Sequence, residues 1–186
     1  MFSISDGRLH PSRWCGSPNY DQRSQGDEVN LLVIHCISLP PQEFGGCDRE
    51  GISYIDRLFT NSLDPSEHEY FAQIAHLKVS AHLLVNRQGV ITQYVNFDNK
   101  AWHAGKSSFL GKPNCNDFSI GIELEGWDNG SYTDLQYQAL AGIGPALRSV
   151  YPGISDDRIV GHEHIAPERK TDPGPGFDWG KLRALL

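Results

Sequence analysis

The chain has 186 residues, 39% hydrophobic and 21% charged, which are the values of an ordinary globular protein able to bury a core without disulfide staples. Its formal net charge of -7 argues against a nucleic-acid partner, because neutralising phosphates needs a basic surface. No stretch approaches the roughly 20 apolar residues of a membrane-spanning helix, and the opening MFSISDGRLHPSRW lacks the basic flank and apolar run of a secretory signal. Cys15, Cys36, Cys47 and Cys115 show no CxxC spacing, so reduced thiols in a cytoplasmic protein are expected.

Residues 1–28, rich in Gly, Pro, Ser, Asn and Asp, read as irregular surface chain. Val29 to His35 is a short apolar run, suited to a central strand covered on both faces. The following ISLPPQEFGG must be a loop. Ile52, Ile55, Leu58 and Phe59 fall at helical spacing within ISYIDRLFT. In VSAHLLVNRQGVITQYV two β-rich runs flank NRQG, a hairpin signal.

From Phe118 to Gly126 the pattern alternates: Phe118, Ile120, Ile122 and Leu124 share one face, and Ser119, Gly121, Glu123 and Glu125 the other. The longest helix should start at Thr133, where Thr133 and Gln136 can form a capping box. Leu140, Ile143, Leu147 and Val150 are its expected buried stripe, with Pro145 kinking or weakening it. RIVGH then reads as a short strand, and Asp178 caps a closing helix. Interleaved strands and helices with one hairpin predict a single α/β domain, a central mixed sheet flanked by helices.

The chemistry concentrates in GHEHIAPERKTDPGP, Gly161 to Pro175, a Pro/Gly-rich segment read as too irregular for a helix. Stiff irregular loops on a rigid scaffold can aim side chains at one point. His35 ends a strand, where α/β folds open their ligand crevices; a lone histidine there is more often a hydrogen-bonded surface or core residue. Its neighbour Cys36 should face the other side. His162 and His164 follow a second strand, and either could bind metal. Asp172 sits in TDPGP, where the bland reading is an Asp-Pro turn.

Two imidazoles and one carboxylate are the donor set of a catalytic zinc with an open fourth position, and such an ion lowers the pKa of bound water to about 7. Glu123 is the leading base, with Glu125 fitting a solvated strand face. Lys170 could stabilise an oxyanion, although most exposed lysines are inert.

The segments VIHCISLPP, FGG, HLKVSAHLLV, AWHAG, NDFSIGIELEG and GHEHIAPERKTDPGPGFDW resemble the AmpD family of anhydro-muramoyl peptide amidases. These belong to the zinc amidases related to peptidoglycan recognition proteins, and the resemblance runs from about Ser17 to near the C-terminus. It implies one Zn²⁺ per chain held by His35, His162 and Asp172, with Glu123 as catalytic acid/base and Lys170 as oxyanion partner. His164 is then not a ligand. It also implies that Trp102 and His103 of AWHAG line the substrate groove, the bland reading of Trp102 being a packed loop residue.

Three further groove positions depart from the family pattern. Cys36 stands where relatives commonly carry Asn, Lys78 where Arg is usual, and Asn114 where a second Arg tends to lie. Lysine keeps the charge but loses the bidentate fork that suits carboxylates. CDREGISY, from Cys47 to Tyr54, is longer than the usual loop. The implied reaction is hydrolysis of the amide between the lactyl group of 1,6-anhydro-N-acetylmuramic acid and the L-alanine of the stem peptide. Its setting would be cytoplasmic recycling of wall fragments, with an indirect effect on β-lactamase expression. The expected partner is the anhydro-muropeptide alone, with no nucleic acid, membrane or obligate protein partner. The alternative is a binding module without activity; such modules generally lack part of the ligand set, and every position is filled here.

Overall fold

Leu31, Leu32, Val33 and Ile34 are all buried, so this strand is covered on both faces and the sheet grows around it. The computed structural model describes residues 1–186. The main sheet has six strands: β1 (Arg13–Trp14), β2 (Leu31–Ile37), β3 (Leu83–Val85), β4 (Ile91–Gln93), β5 (Ser119–Glu125) and β6 (Ile159–Gly161), in the spatial order β6-β2-β5-β3-β4-β1. β3 and β4 form the antiparallel hairpin expected around NRQG, and the other neighbouring pairs run parallel. The helices are α1 (Tyr54–Phe59), α2 (Phe71–Ile74), α3 (Asp134–Val150), α4 (His162–Ile165) and α5 (Trp179–Leu185). This is an α/β fold with a central mixed sheet flanked by helices, and no helix is long and apolar enough to cross a membrane.

Alternation along β2 and β5 decides what each face does. Leu32 and Ile34 of β2 join Ile120, Ile122 and Leu124 of β5 in a core with Leu140, Ile143 and Leu147 of α3 and Leu182 of α5. On the opposite face Leu31 and Val33 pack with Phe118 and Ile165. Phe118 therefore does not share a face with Ile120, as the alternation predicted, because it sits just before β5 at the end of a 3-10 turn.

The capping box of α3 is present, with Thr133 Oγ1 accepting from the Gln136 N–H at 3.2 Å and Gln136 Oε1 accepting from the Thr133 N–H at 3.0 Å. Pro145 lies on the exposed side, and the helix runs through it. Val150 is exposed at its last turn, outside the buried stripe, and Ile52 precedes α1 and is likewise exposed.

Residues 1–28 are more ordered than their composition predicted. Ser3–Ser5 pairs with Arg8–His10, Arg13–Trp14 supplies the edge strand β1, and Tyr20–Gln22 pairs with Asn99–Ala101. Leu9 is buried in the main core with Phe2 and Ile4 packed against it, and long-range polar bonds hold the rest of the segment down. Arg23 donates to the carbonyls of Phe97, Asn116, Asp117 and Ser119. Arg13 Nη2 donates to both oxygens of buried Asp56 in α1, at 2.8 and 2.7 Å, and Tyr94 Oη donates to Asp56 Oδ1 at 2.6 Å. A buried carboxylate that loses a donor keeps its desolvation cost. Tyr94→Phe should lower the unfolding free energy by about 1–3 kcal/mol in urea denaturation at pH 7; an unchanged midpoint would show that Arg13 alone suffices.

Candidate active site

The parallel register that builds the sheet also gathers the site. Across β2 and β5, His35 is the direct partner of Glu123, and across β2 and β6, Ile34 partners Gly161. His162, one residue beyond Gly161, therefore arrives beside His35. Asp172 returns from the next loop, whose path is fixed where the Glu163 N–H donates to the Asp172 carbonyl at 2.9 Å. The site thus lies at the carboxyl ends of adjacent parallel strands, where such sheets place ligands.

His35 Nδ1 lies 2.9 Å from His162 Nδ1, and Asp172 Oδ2 lies 3.2 and 3.1 Å from these two nitrogens. His162 Nε2 faces the Ala104 carbonyl at 3.1 Å. A carbonyl only accepts, so the proton of a neutral His162 is on Nε2 and its Nδ1 presents a lone pair. Burial pushes the pKa of His35 down to about 4 despite the neighbouring Asp172, so the His35 ring is neutral at pH 7. A carboxylate oxygen and the ring nitrogens thus converge on one point, a donor set that fits a divalent metal ion.

A cavity of about 410 Å³ opens over this cluster. His35, Glu123, His162, Lys170 and Asp172 line it together, joined by Cys36, Trp102 and His103. Lys78 and Asn114 are not brought in. Lys78 is exposed between the lining residues Leu77 and Val79. Asn114 holds a left-handed turn and borders a separate hollow with Asp21 and Lys100, reached from the far side of Trp102.

His164 turns away, its Nδ1 accepting from the Gly161 N–H at 2.9 Å. The segment expected to be non-helical begins with the single turn α4, and that turn separates His162 from His164. Glu125, weighed as a solvated residue, is buried and accepts from the backbone N–H of Gly45 at 2.5 Å and of Arg87 at 3.0 Å. It staples the loop after β2 to the sheet. Sequence reasoning missed Trp127, which lines the cavity with its ring stacked on Phe44 at 4.8 Å. The only signal was an aromatic residue in the turn that leaves β5.

Glu123 Oε2 is buried without a hydrogen-bond partner. Burial, reinforced by the negative charge of Asp172 and opposed by Lys170, pushes the Glu123 carboxyl from 4.5 up to about 8. In the metal-free protein the unfolded chain releases this proton near the ordinary value and the folded chain only near pH 8. Stability must therefore fall as pH rises between those limits. Glu123→Gln should stabilise the metal-free protein at pH 8 by about 2 kcal/mol or more and leave it little changed at pH 4. Urea unfolding at both pH values checks this, and an equal effect at the two would rule out the shift.

The family model described as N-acetylmuramoyl-L-alanine amidase matches residues 25–175. Among curated proteins, the chain is 56% identical to 1,6-anhydro-N-acetylmuramyl-L-alanine amidase AmpD of Citrobacter freundii, over 98% of this chain and 94% of that protein. Among solved structures, a crystal structure of a selenomethionine derivative of AmpD superposes with a TM-score of 0.92 at 56% identity, covering 98% of each chain. The amidase AmiD of E. coli, solved in complex with anhydro-N-acetylmuramic acid-L-Ala-D-gamma-Glu-L-Lys, superposes with a TM-score of 0.60 at 27% identity, over 99% of this chain and 65% of that one. With the family model spanning most of its length and a full-length relative at this identity, the chain is a member of the N-acetylmuramoyl-L-alanine amidase family.

Proposed function

We propose that this chain hydrolyses the amide joining the lactyl group of 1,6-anhydro-N-acetylmuramic acid to the L-alanine of the stem peptide, using one Zn²⁺ held by His35, His162 and Asp172. The observation that carries this reading is the convergence of their donor atoms, all within 4.8 Å of one another, beside an unpartnered carboxylate. Tetrahedral zinc at about 2.0–2.1 Å from each donor sets ligand atoms roughly 3.3 Å apart, close to the spacing here. The likeness to AmpD and the anhydro-muropeptide bound to AmiD support the substrate class.

When bound, zinc polarises the scissile carbonyl and makes a water nucleophilic near neutral pH. The protein's own groups do the rest. Glu123 takes the water's proton on its free oxygen and later delivers it to the departing amine, the work of one general acid-base group. Lys170, lining the same cavity, holds positive charge towards the developing oxyanion.

Trp102 and Cys36 contact the substrate on the cavity walls, and Lys78 reaches the distal stem from its rim, whereas Asn114, in its separate hollow, takes no part. Residues 1–186 act as one amidase domain. Unpaired Cys15, Cys36, Cys47 and Cys115 suit the reducing cytoplasm, where wall fragments would be recycled. Loss of activity would let anhydro-muropeptides accumulate and raise β-lactamase expression.

Mass spectrometry of an anhydro-muramoyl tripeptide before and after incubation tests the reaction: free anhydro-sugar and free peptide are expected, and intact substrate would refute it. A strong chelator should abolish turnover and added zinc restore it. Glu123→Ala should retain zinc and lose about 10²–10⁴-fold in kcat, whereas loss of zinc would make Glu123 a ligand. Lys78→Ala should raise KM for the tripeptide with kcat nearly unchanged, and an unaltered KM would remove Lys78 from recognition.

A further inference from the structure

His103 stands between a candidate ligand and the first residue of β5. Its Nδ1 lies 2.9 Å from His35 Nε2, and its Nε2 lies 3.0 Å from Ser119 Oγ, which in turn lies 2.5 Å from the Cys115 carbonyl. The direction of this chain is forced from its far end. The Cys115 carbonyl can only accept, so the single hydroxyl proton of Ser119 is committed to it. Ser119 must then accept from His103 Nε2–H, which leaves His103 Nδ1 as a lone pair. That lone pair accepts from His35 Nε2–H, and the remaining nitrogen of His35, Nδ1, is bare where it meets His162 and Asp172.

The same short loop serves the other imidazole. Ala104, next to His103, supplies the carbonyl that accepts from His162 Nε2 at 3.1 Å. Asn116 Oδ1 holds the loop in place by accepting from the N–H of His103 at 3.2 Å and of Ala104 at 2.8 Å. Arg169 Nη2 adds a further bond to the Ala104 carbonyl at 2.6 Å.

The sheet is shaped to receive the ring. A Cβ built on Gly121 would lie 2.5 Å from His103 Cγ, closer than real contacts allow. The glycine in FSIGIELEG is therefore the space that the imidazole occupies, and β5 carries Glu123 two residues further along the same face.

We infer that the His103–Ala104 loop sets the tautomer of both histidine ligands, with His103 acting as a positioning residue for His35 rather than as a contact for substrate. This rests on the zinc reading given above. With both ring nitrogens engaged inside the protein, His103 has none to offer the groove. Trp102, one residue earlier, faces the cavity, so a single loop joins a substrate wall to the support of the metal ligands. Such outer partners orient metal-binding imidazoles and typically govern affinity by about 10–100-fold.

The test uses the purified full chain, zinc alone as probe, and two readouts that do not depend on turnover. One is zinc affinity by competition with a chromophoric chelator. The other is the tautomer of His35 in the metal-free protein, read from long-range ¹H–¹⁵N imidazole correlations. Wild type should show the Nε2–H tautomer. His103→Phe keeps the ring volume but removes the acceptor, and should weaken zinc binding about 10–100-fold with mixed tautomers at His35. His103→Gln can accept from His35 and donate to Ser119, and should recover affinity to within about fivefold of wild type.

Should His103→Phe fail to fold, Ser119→Ala removes the anchor of the chain and should shift the His35 tautomer in the same direction. Zinc binding by a folded Phe variant within about threefold of wild type, or a Gln variant no better than Phe, would overturn the inference. An unchanged His35 tautomer in Ser119→Ala would do so equally. Failure of wild type to bind zinc would instead refute the metal reading, and the metal-free tautomer measurement would still decide the role of His103.

Discussion

Acceptors facing acceptors are the constraint on which this structure turns. His162 Nδ1 and Asp172 Oδ2 stand 3.1 Å apart, with His35 Nδ1 at 2.9 Å from the first, and the outward nitrogens of both rings are engaged elsewhere. With both rings neutral and donating through those outward nitrogens, no proton is left to sit between them. Gathering such groups out of water is unfavourable unless a cation joins them, so the surrounding fold has to supply the rigidity that holds them together. Parallel pairing supplies it, because β2, β5 and β6 end side by side and cannot slip without moving their core residues to the wrong face.

The two-sided burial of β2 and β5 lets one pair of strands serve stability and chemistry together. One set of alternate residues packs on α3, and the other set ends in His35 and Glu123. A one-residue change in register would carry Ile34 and Ile122 onto the face of His35 and Glu123 and leave the α3 side without them, so the apolar face protects the placement of the polar one. The cost appears at Glu123, whose Oε2 is kept from water without a partner. Strain of this kind is common where activity opposes stability.

What could be read from the chain and what could not divide along a physical line. β2, the β3–β4 hairpin, β5 and α3 carry clear periodicity or capping chemistry, and each formed where expected. The five residues marked for metal binding and catalysis line one cavity, because long motifs in their order left little choice. The strands of residues 1–28 have only two or three residues each, too few to show a period, and their anchors include polar bonds to partners far along the chain. The turn α4 was hidden because Gly161 directly precedes it and the prolines that break the helical pattern begin only after it. Lys78 and Asn114 stayed outside the cavity for a related reason: a motif fixes the neighbours of a residue but not which side of the rim its side chain takes.

Trp102 shows how far the groove depends on distant chain. Its indole Nε1 donates to Asp21 Oδ2 at 2.8 Å, and Tyr20–Gln22 pairs with the Asn99–Ala101 strand that leads into it. The amino-terminal segment, though remote from the donor cluster, therefore braces an aromatic wall of the groove. Truncation there would loosen the fit of the sugar-peptide ligand and, through the loop that Trp102 shares with His103 and Ala104, the seating of both imidazoles as well.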